Sequence, residues 1–179
     1  AEGAYVDYDT ALRIESRYLA KLMTTPVARN MINTFFFNMN AIKSGQSRPK
    51  DVPRYKPQKV GLLGAGMMGA GIAYAQASRG IATVLKDVSQ EKAEAGKAYS
   101  VKVTQPRVDK GRMNPHDQAA LLARITPTAN AADLAGCDLI IEAVFEDRAL
   151  KARVTQEAEP QLAASGFFAS NTSTLPISG

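Results

Sequence analysis

Apolar positions recur along this chain in two different rhythms. Between about residues 10 and 43, Leu12, Tyr18, Leu19, Leu22 and Met23 are spaced to share one helical face. Met31, Ile32, Phe35, Phe36, Met39 and Ile42 add a large apolar load to the same region. Pro26 interrupts it, which predicts two helices or a kinked one. Ser44-Gly45-Gln46-Ser47 ends the helical stretch, and a proline-rich linker runs to about Gln58. From Lys59 the rhythm changes to short apolar runs that alternate with helical stretches. Residues 59–63 read as a strand, followed at once by a glycine-rich turn and an Ala-rich helix to Arg79. Residues 81–85 form a second strand ending at Asp87, and Ser89 caps a long helix over 90–110. Asn114 followed by Pro115 opens another helix reaching Ala123, and 124–127 hold only a short strand because Pro127 cannot donate to a ladder. Residues 138–144 are almost fully apolar between their end charges, the pattern of a strand buried on both faces of a parallel sheet. A helix over 147–164, kinked or split by Pro160, and a fifth strand over 167–170 complete the series. Strand–helix alternation predicts an α/β fold with a doubly wound parallel sheet, preceded by a helical segment and a linker.

Composition narrows the possibilities. At 179 residues, with 45% hydrophobic and 22% charged residues, the chain has room for one domain plus an appendage and is not globally disordered. No apolar run approaches the roughly 18 residues of a membrane helix, so no membrane span is expected. One cysteine, Cys137, excludes an internal disulfide framework and a multi-cysteine zinc site, and one histidine, His116, excludes a histidine-rich metal cluster. Cys137 is expected to be a small core residue, and His116 a solvent-facing residue at a helix start. The net charge of +5 is uneven: residues 1–59 carry ten Lys/Arg against five Asp/Glu, and residues 60–179 carry twelve of each. Most of the excess is in Arg48, Lys50, Arg54, Lys56 and Lys59, spaced by prolines, which reads as a solvated linker rather than a nucleic-acid site. The first residue is Ala1 and no leader-like stretch precedes the helices, so a fragment of a longer intracellular chain is expected.

Three clusters carry candidate chemistry. Gly64-Ala65-Gly66-Met67-Met68-Gly69 is G-x-G-x-x-G placed after a strand and opening a helix, the setting in which backbone N–H groups and a helix N-terminus receive a pyrophosphate. Asp87 ends the second strand, where a carboxylate accepts hydrogen bonds from ribose hydroxyls and repels a 2′-phosphate. Lys86 and Lys92 stand nearby as cations that would offset such a phosphate. Past the buried strand come Glu142, Phe145, Glu146, Asp147 and Lys151, and past the fifth strand Ser170-Asn171-Thr172-Ser173-Thr174. Both lie at the carboxyl edge of the sheet, where ligands bind in doubly wound folds. Taken alone, the charges of the third cluster read equally well as helix-start residues, and the short polar side chains as ordinary loop residues.

Together, the glycine motif, Asp87, the block Ile141-Glu142-Ala143-Val144-Phe145-Glu146-Asp147 and the block Ala169-Ser170-Asn171-Thr172-Ser173 resemble the Rossmann-type NAD-binding domain of 3-hydroxyacyl-CoA dehydrogenases. The similarity covers about residues 57–179. Residues 1–45 resemble, less specifically, the linker helix or the end of the hydratase/isomerase domain in multifunctional fatty-acid β-oxidation proteins, with 46–58 as linker and 59–179 as a C-terminally truncated NAD-binding domain. The resemblance implies an enzyme oxidising L-3-hydroxyacyl-CoA to 3-ketoacyl-CoA with NAD as cofactor. It implies that Gly64, Gly66, Met67, Met68 and Gly69 hold the pyrophosphate and Asp87 the adenosine ribose. Phe145, Glu146, Asp147 and Lys151 would lie along the nicotinamide side, Asn171 would also bind the cofactor, and Ser173 would orient the substrate hydroxyl. The family's base is a histidine downstream of S-N-T-S, outside this sequence, so the chain is expected to bind NAD without turnover. Expected partners are an acyl-CoA substrate, the remaining hydratase and dehydrogenase domains and a thiolase subunit, in a bacterial cytoplasm or an organelle. A dehydrogenase of small β-hydroxy acids and a non-catalytic nucleotide-sensing module stay open as alternatives. The Phe35-Phe36-Phe37 cluster is expected to be an exposed apolar patch that self-associates.

Overall fold

The computed structural model describes residues 2–176, in two compact units, Ala1–Arg54 and Tyr55–Gly179. In the first unit, α1 (Tyr8–Met23) starts where the Asp7 carboxylate accepts the Thr10 N–H, an N-cap that satisfies a free donor of the first turn. The helix stops at Thr24, and Thr25 caps α2 (Pro26–Met31) with Pro26 in the first turn. The predicted interruption is therefore a clean break with its own cap. A π-helical segment, Ile32–Asn38, leads into α3 (Met39–Lys43). None of the described residues of these helices is buried.

The second unit is a five-stranded parallel sheet in the order β3-β2-β1-β4-β5, built from β1 (Lys59–Leu63), β2 (Ala82–Lys86), β3 (Ile125–Thr128), β4 (Cys137–Glu142) and β5 (Leu162–Ser170). Strand β1 feeds α4 (Met67–Ala77) and β2 feeds α5 (Gln90–Asp109), while α6 (Pro115–Ala123) precedes β3 and α7 (Arg148–Ala158) follows β4. Alternation along the strands sends side chains into two cores. Leu62 and Leu85 pack with Ala73, Ala77, Leu121 and Ile125, whereas Leu63 and Val84 pack with Leu134, Cys137, Ile140 and Ala158. This is the doubly wound arrangement that the apolar rhythm predicts, and its strand order reverses between β1 and β4.

Several boundaries differ from the sequence reading. The helix expected over 147–164 ends at Ala158; Glu159–Gln161 form a single 3-10 turn around Pro160, and β5 begins at Leu162. Pairing decides this: Leu162 registers with Cys137, and an irregularity then brings Phe167 opposite Leu139, so Ala163 and Ala164 follow the sheet despite their helix propensity. Strand β4 covers Cys137–Glu142 and leaves Ala143 and Val144 in the loop, while α4 ends at Ala77 and β2 runs one residue later than expected. Cys137 is fully buried, and burial pushes its thiol pKa up. His116 is exposed near the start of α6, where Asn114 caps the helix as expected. Tyr55–Gln58, read as linker, belong to the sheet unit: the Tyr55 hydroxyl donates to the Asp138 carbonyl, and its ring meets Phe167 edge-on at 4.9 Å. The Gln58 and Lys59 N–H groups donate to the Asp138 carboxylate at 2.7 and 2.9 Å and hold its pKa down.

Candidate functional site

The turn after β1 carries the first part of the site. Gly64 sits at φ +96°, and a Cβ there would lie 2.7 Å from the Ala143 carbonyl oxygen, so both backbone and space demand glycine. A Cβ on Gly69 would fall 1.8 Å from the Gly64 carbonyl oxygen, so α4 packs directly on the turn. Gly66 differs: a Cβ on it would meet nothing within 4 Å. It is the N-cap of α4 and supplies no side-chain cap, in contrast to Ser89, Asn114 and Asp147 at α5, α6 and α7. The first-turn N–H groups of α4 therefore face open space with the positive end of the helix behind them.

Asp87 lies just past β2, and its carboxylate is aimed at the same turn. One oxygen accepts the Ala65 N–H at 2.7 Å and the other the Val88 N–H at 2.7 Å. Each oxygen keeps a second lone pair, so two ribose hydroxyls still have acceptors. Lys86 is buried and its ammonium pairs with Glu157 at 3.3 Å, so this neighbouring cation is engaged on α7. Between the turn, the end of β2 and the loop after β4 lies a cleft of about 480 Å³, within the usual range for small-molecule sites. Gly64, Gly66, Met67, Met68, Asp87 and Phe145 line it, which brings six of the predicted residues around one space. Val88, Lys92, Leu150 and Val154 also line it. Sequence reading notes Lys92 only as a cation near Asp87 and does not assign Val88, Leu150 or Val154; the available signal for the last two is the i, i+4 apolar pair at the start of α7. Gly96 also escapes sequence reading: a Cβ there would come within 2.6 Å of Ala65, so α5 holds the turn from outside.

Apart from Gly69 in α4, the remaining predicted residues lie just past the ends of β4 and β5. Lys151 donates to both oxygens of Glu142 at 2.9 Å and to Glu146 at 3.1 Å. Burial alone would lower the Lys151 pKa, but these two carboxylates outweigh it and raise it. Glu146 accepts from the Thr172 hydroxyl and from the Thr174 hydroxyl at 2.8 Å. Those hydrogen bonds, with Lys151, hold its pKa down to about 2. Asp147 serves as the N-cap of α7, its carboxylate accepting the Leu150 N–H at 2.7 Å. Asn171 and Ser173 are exposed, and neither lines the cleft. Glu142, buried at 1% exposure, meets Lys151, Ser170 and the Asn171 N–H, though sequence reading notes it only as part of a cluster.

Comparison with known proteins gives a consistent picture. The family described as "3-hydroxyacyl-CoA dehydrogenase, NAD binding domain" matches residues 59–179. The "Fatty acid oxidation complex subunit alpha" of Psychrobacter arcticus is 35% identical over 169 residues, covering 94% of this chain and 23% of its own length. The chain thus spans about a quarter of that curated relative. Among solved structures, the (S)-3-hydroxybutyryl-CoA dehydrogenase PaaH1 from Ralstonia eutropha is 33% identical, with a TM-score of 0.64 over 68% of this chain and 43% of that one. FadB2 from M. tuberculosis is also 33% identical, with a TM-score of 0.64 over 69% of this chain and 44% of that one.

Proposed function

The chain belongs to the family of 3-hydroxyacyl-CoA dehydrogenase NAD-binding domains, and on that premise we propose that it is the NAD-holding part of an enzyme that oxidises L-3-hydroxyacyl-CoA to 3-ketoacyl-CoA. The observation that carries the reading is the uncapped N-terminus of α4 behind the open Gly66, with the Asp87 carboxylate beside it on one cleft. NAD, when bound, supplies the acceptor for the substrate's hydride. The α4 N-terminus and Gly66 would hold its pyrophosphate, Asp87 the adenosine ribose, and Phe145, Glu146 and Lys151 the nicotinamide side. Ser173 would orient the substrate hydroxyl and Asn171 would contact the cofactor. Asp147 acts by fixing the start of α7, and Gly69 by letting α4 close on the turn.

The reaction also needs a base for the hydroxyl proton. His116 is the single histidine of the sequence, and it stands exposed beside Asp117 on α6, away from the cleft residues. The family resemblance implies a histidine base downstream of S-N-T-S, so the 1–179 chain would bind the cofactor without by itself turning over substrate. Residues 1–45 would be the linker helix or the end of a hydratase/isomerase domain, 46–54 a linker and 55–179 the NAD-binding domain with its Tyr55–Gln58 strap. The whole protein would be a multifunctional β-oxidation subunit working with a thiolase in a bacterial cytoplasm. Among the described residues no helix is long and apolar enough to cross a membrane.

The test is a fluorescence titration of the 1–179 chain with NADH, followed by an assay with NADH and acetoacetyl-CoA. Saturable binding without turnover is expected. Absence of NADH binding would sink the cofactor reading, and measurable ketone reduction would sink the assignment of the base to a residue outside this chain.

A further inference from the structure

We infer that Glu142 is a positioning residue for the proposed nicotinamide side, beside the cleft: from the end of β4 it fixes both Lys151 and the turn after β5 that carries Asn171 and Ser173. The inference rests on the cofactor reading above. One Glu142 oxygen accepts the Val144 N–H at 2.7 Å and the Lys151 ammonium at 2.9 Å. The other accepts Lys151 at 2.9 Å and the Ser170 hydroxyl at 2.6 Å. Its backbone carbonyl accepts the Asn171 N–H at 2.8 Å. One residue thereby gathers the loop after β4, helix α7 and the end of β5.

Every partner is a donor, and together they fill the acceptor sites of a carboxylate. Nothing is left over for a ligand, so Glu142 acts through the groups it holds. Lys151 is a long, flexible side chain that is 11% exposed here, held between Glu142 and Glu146. An apolar residue of similar size would pack into the sheet at less cost than a buried charge. What it would not supply is the hold on Lys151 and Ser170.

The experiment is a fluorescence titration of wild type, Glu142→Gln, Lys151→Met and the double variant with NADH, with ADP as a competing probe of the adenine half. Glu142→Gln is expected to weaken NADH by about tenfold, the loss of one hydrogen bond to a charged group, while ADP binding is unchanged. The double variant is expected to lose less than the product of the two single losses, because the residues act together. Unchanged NADH affinity in Glu142→Gln, losses that multiply, or a parallel fall in ADP affinity would each overturn the inference, the last because it marks a general distortion of the cleft. A wild-type chain that binds no NADH would instead overturn the cofactor reading beneath it. If Glu142→Gln loses its circular-dichroism signature, Ser170→Ala replaces it: a smaller NADH loss with ADP unaffected supports the inference, and no loss overturns it.

Discussion

Two glycines of the same turn should fail in opposite ways when given a methyl group. At Gly69 the new Cβ would collide with backbone at 1.8 Å, so Gly69→Ala should lower stability by about 3 kcal/mol, read from urea denaturation. At Gly66 the backbone is ordinary, φ −67°, and the space is empty. Gly66→Ala should therefore fold with unchanged stability yet bind NADH much more weakly, because the methyl occupies the room meant for phosphate. Equal loss of stability in the two variants would contradict this division. Glu146 supplies a pH signature at the same scale. Its folded pKa, about 2, lies below the ordinary 4.5. Its contribution to holding Thr172 and Thr174 is thus complete above pH 4.5 and is lost as the pH falls toward 2. Carbon-13 NMR of the carboxyl group should show that low midpoint, and a midpoint near 4.5 would mean the two hydroxyls do not dock. The glycine roles are legible from sequence because G-x-G-x-x-G is local. The role of Glu142 is not, because its partners Lys151 and Ser170 lie 9 and 28 residues away.

At the scale of elements, local chemistry explains most starts and tertiary pairing explains the errors. Ser89, Asn114 and Asp147 announce α5, α6 and α7, and each accepts the expected N–H. Asp147→Ala should cost about 1 kcal/mol by removing such a cap, measurable as a shift in the denaturation midpoint. Strand β5 is longer than its composition suggests because Leu162 belongs to it only through Cys137, 25 positions earlier on β4. Pro160 marks the break in the helix but carries no information on how the residues after it pair. The same non-local logic applies to Tyr55–Gln58, whose proline-spaced composition reads as linker while their hydrogen bonds go to Asp138. A chain beginning at Tyr55 should accordingly unfold at higher denaturant than one beginning at Lys59, and equal midpoints would show that this strap contributes nothing.

For the molecule as a whole, the two units differ in how they use apolar surface. The sheet unit buries its leucines in two cores, whereas the helical unit exposes Leu19, Leu22, Met31 and Phe35-Phe36-Phe37. Light scattering of the 1–179 chain at high concentration should therefore report species larger than a monomer, and residues 55–179 alone should remain monomeric. A clean monomer for the full chain would contradict that reading of the exposed face. The central claim concerns the cleft, and parallel titrations with NADH and NADPH test it most directly. Asp87 stands at the ribose end, Lys86 is held by Glu157, and Lys92, though it lines the cleft, is exposed and screened by water, so NADH should bind at least about tenfold more tightly than NADPH, and Asp87→Asn should shrink that ratio. Equal affinity for the two nucleotides, or a ratio indifferent to Asp87, would contradict the account.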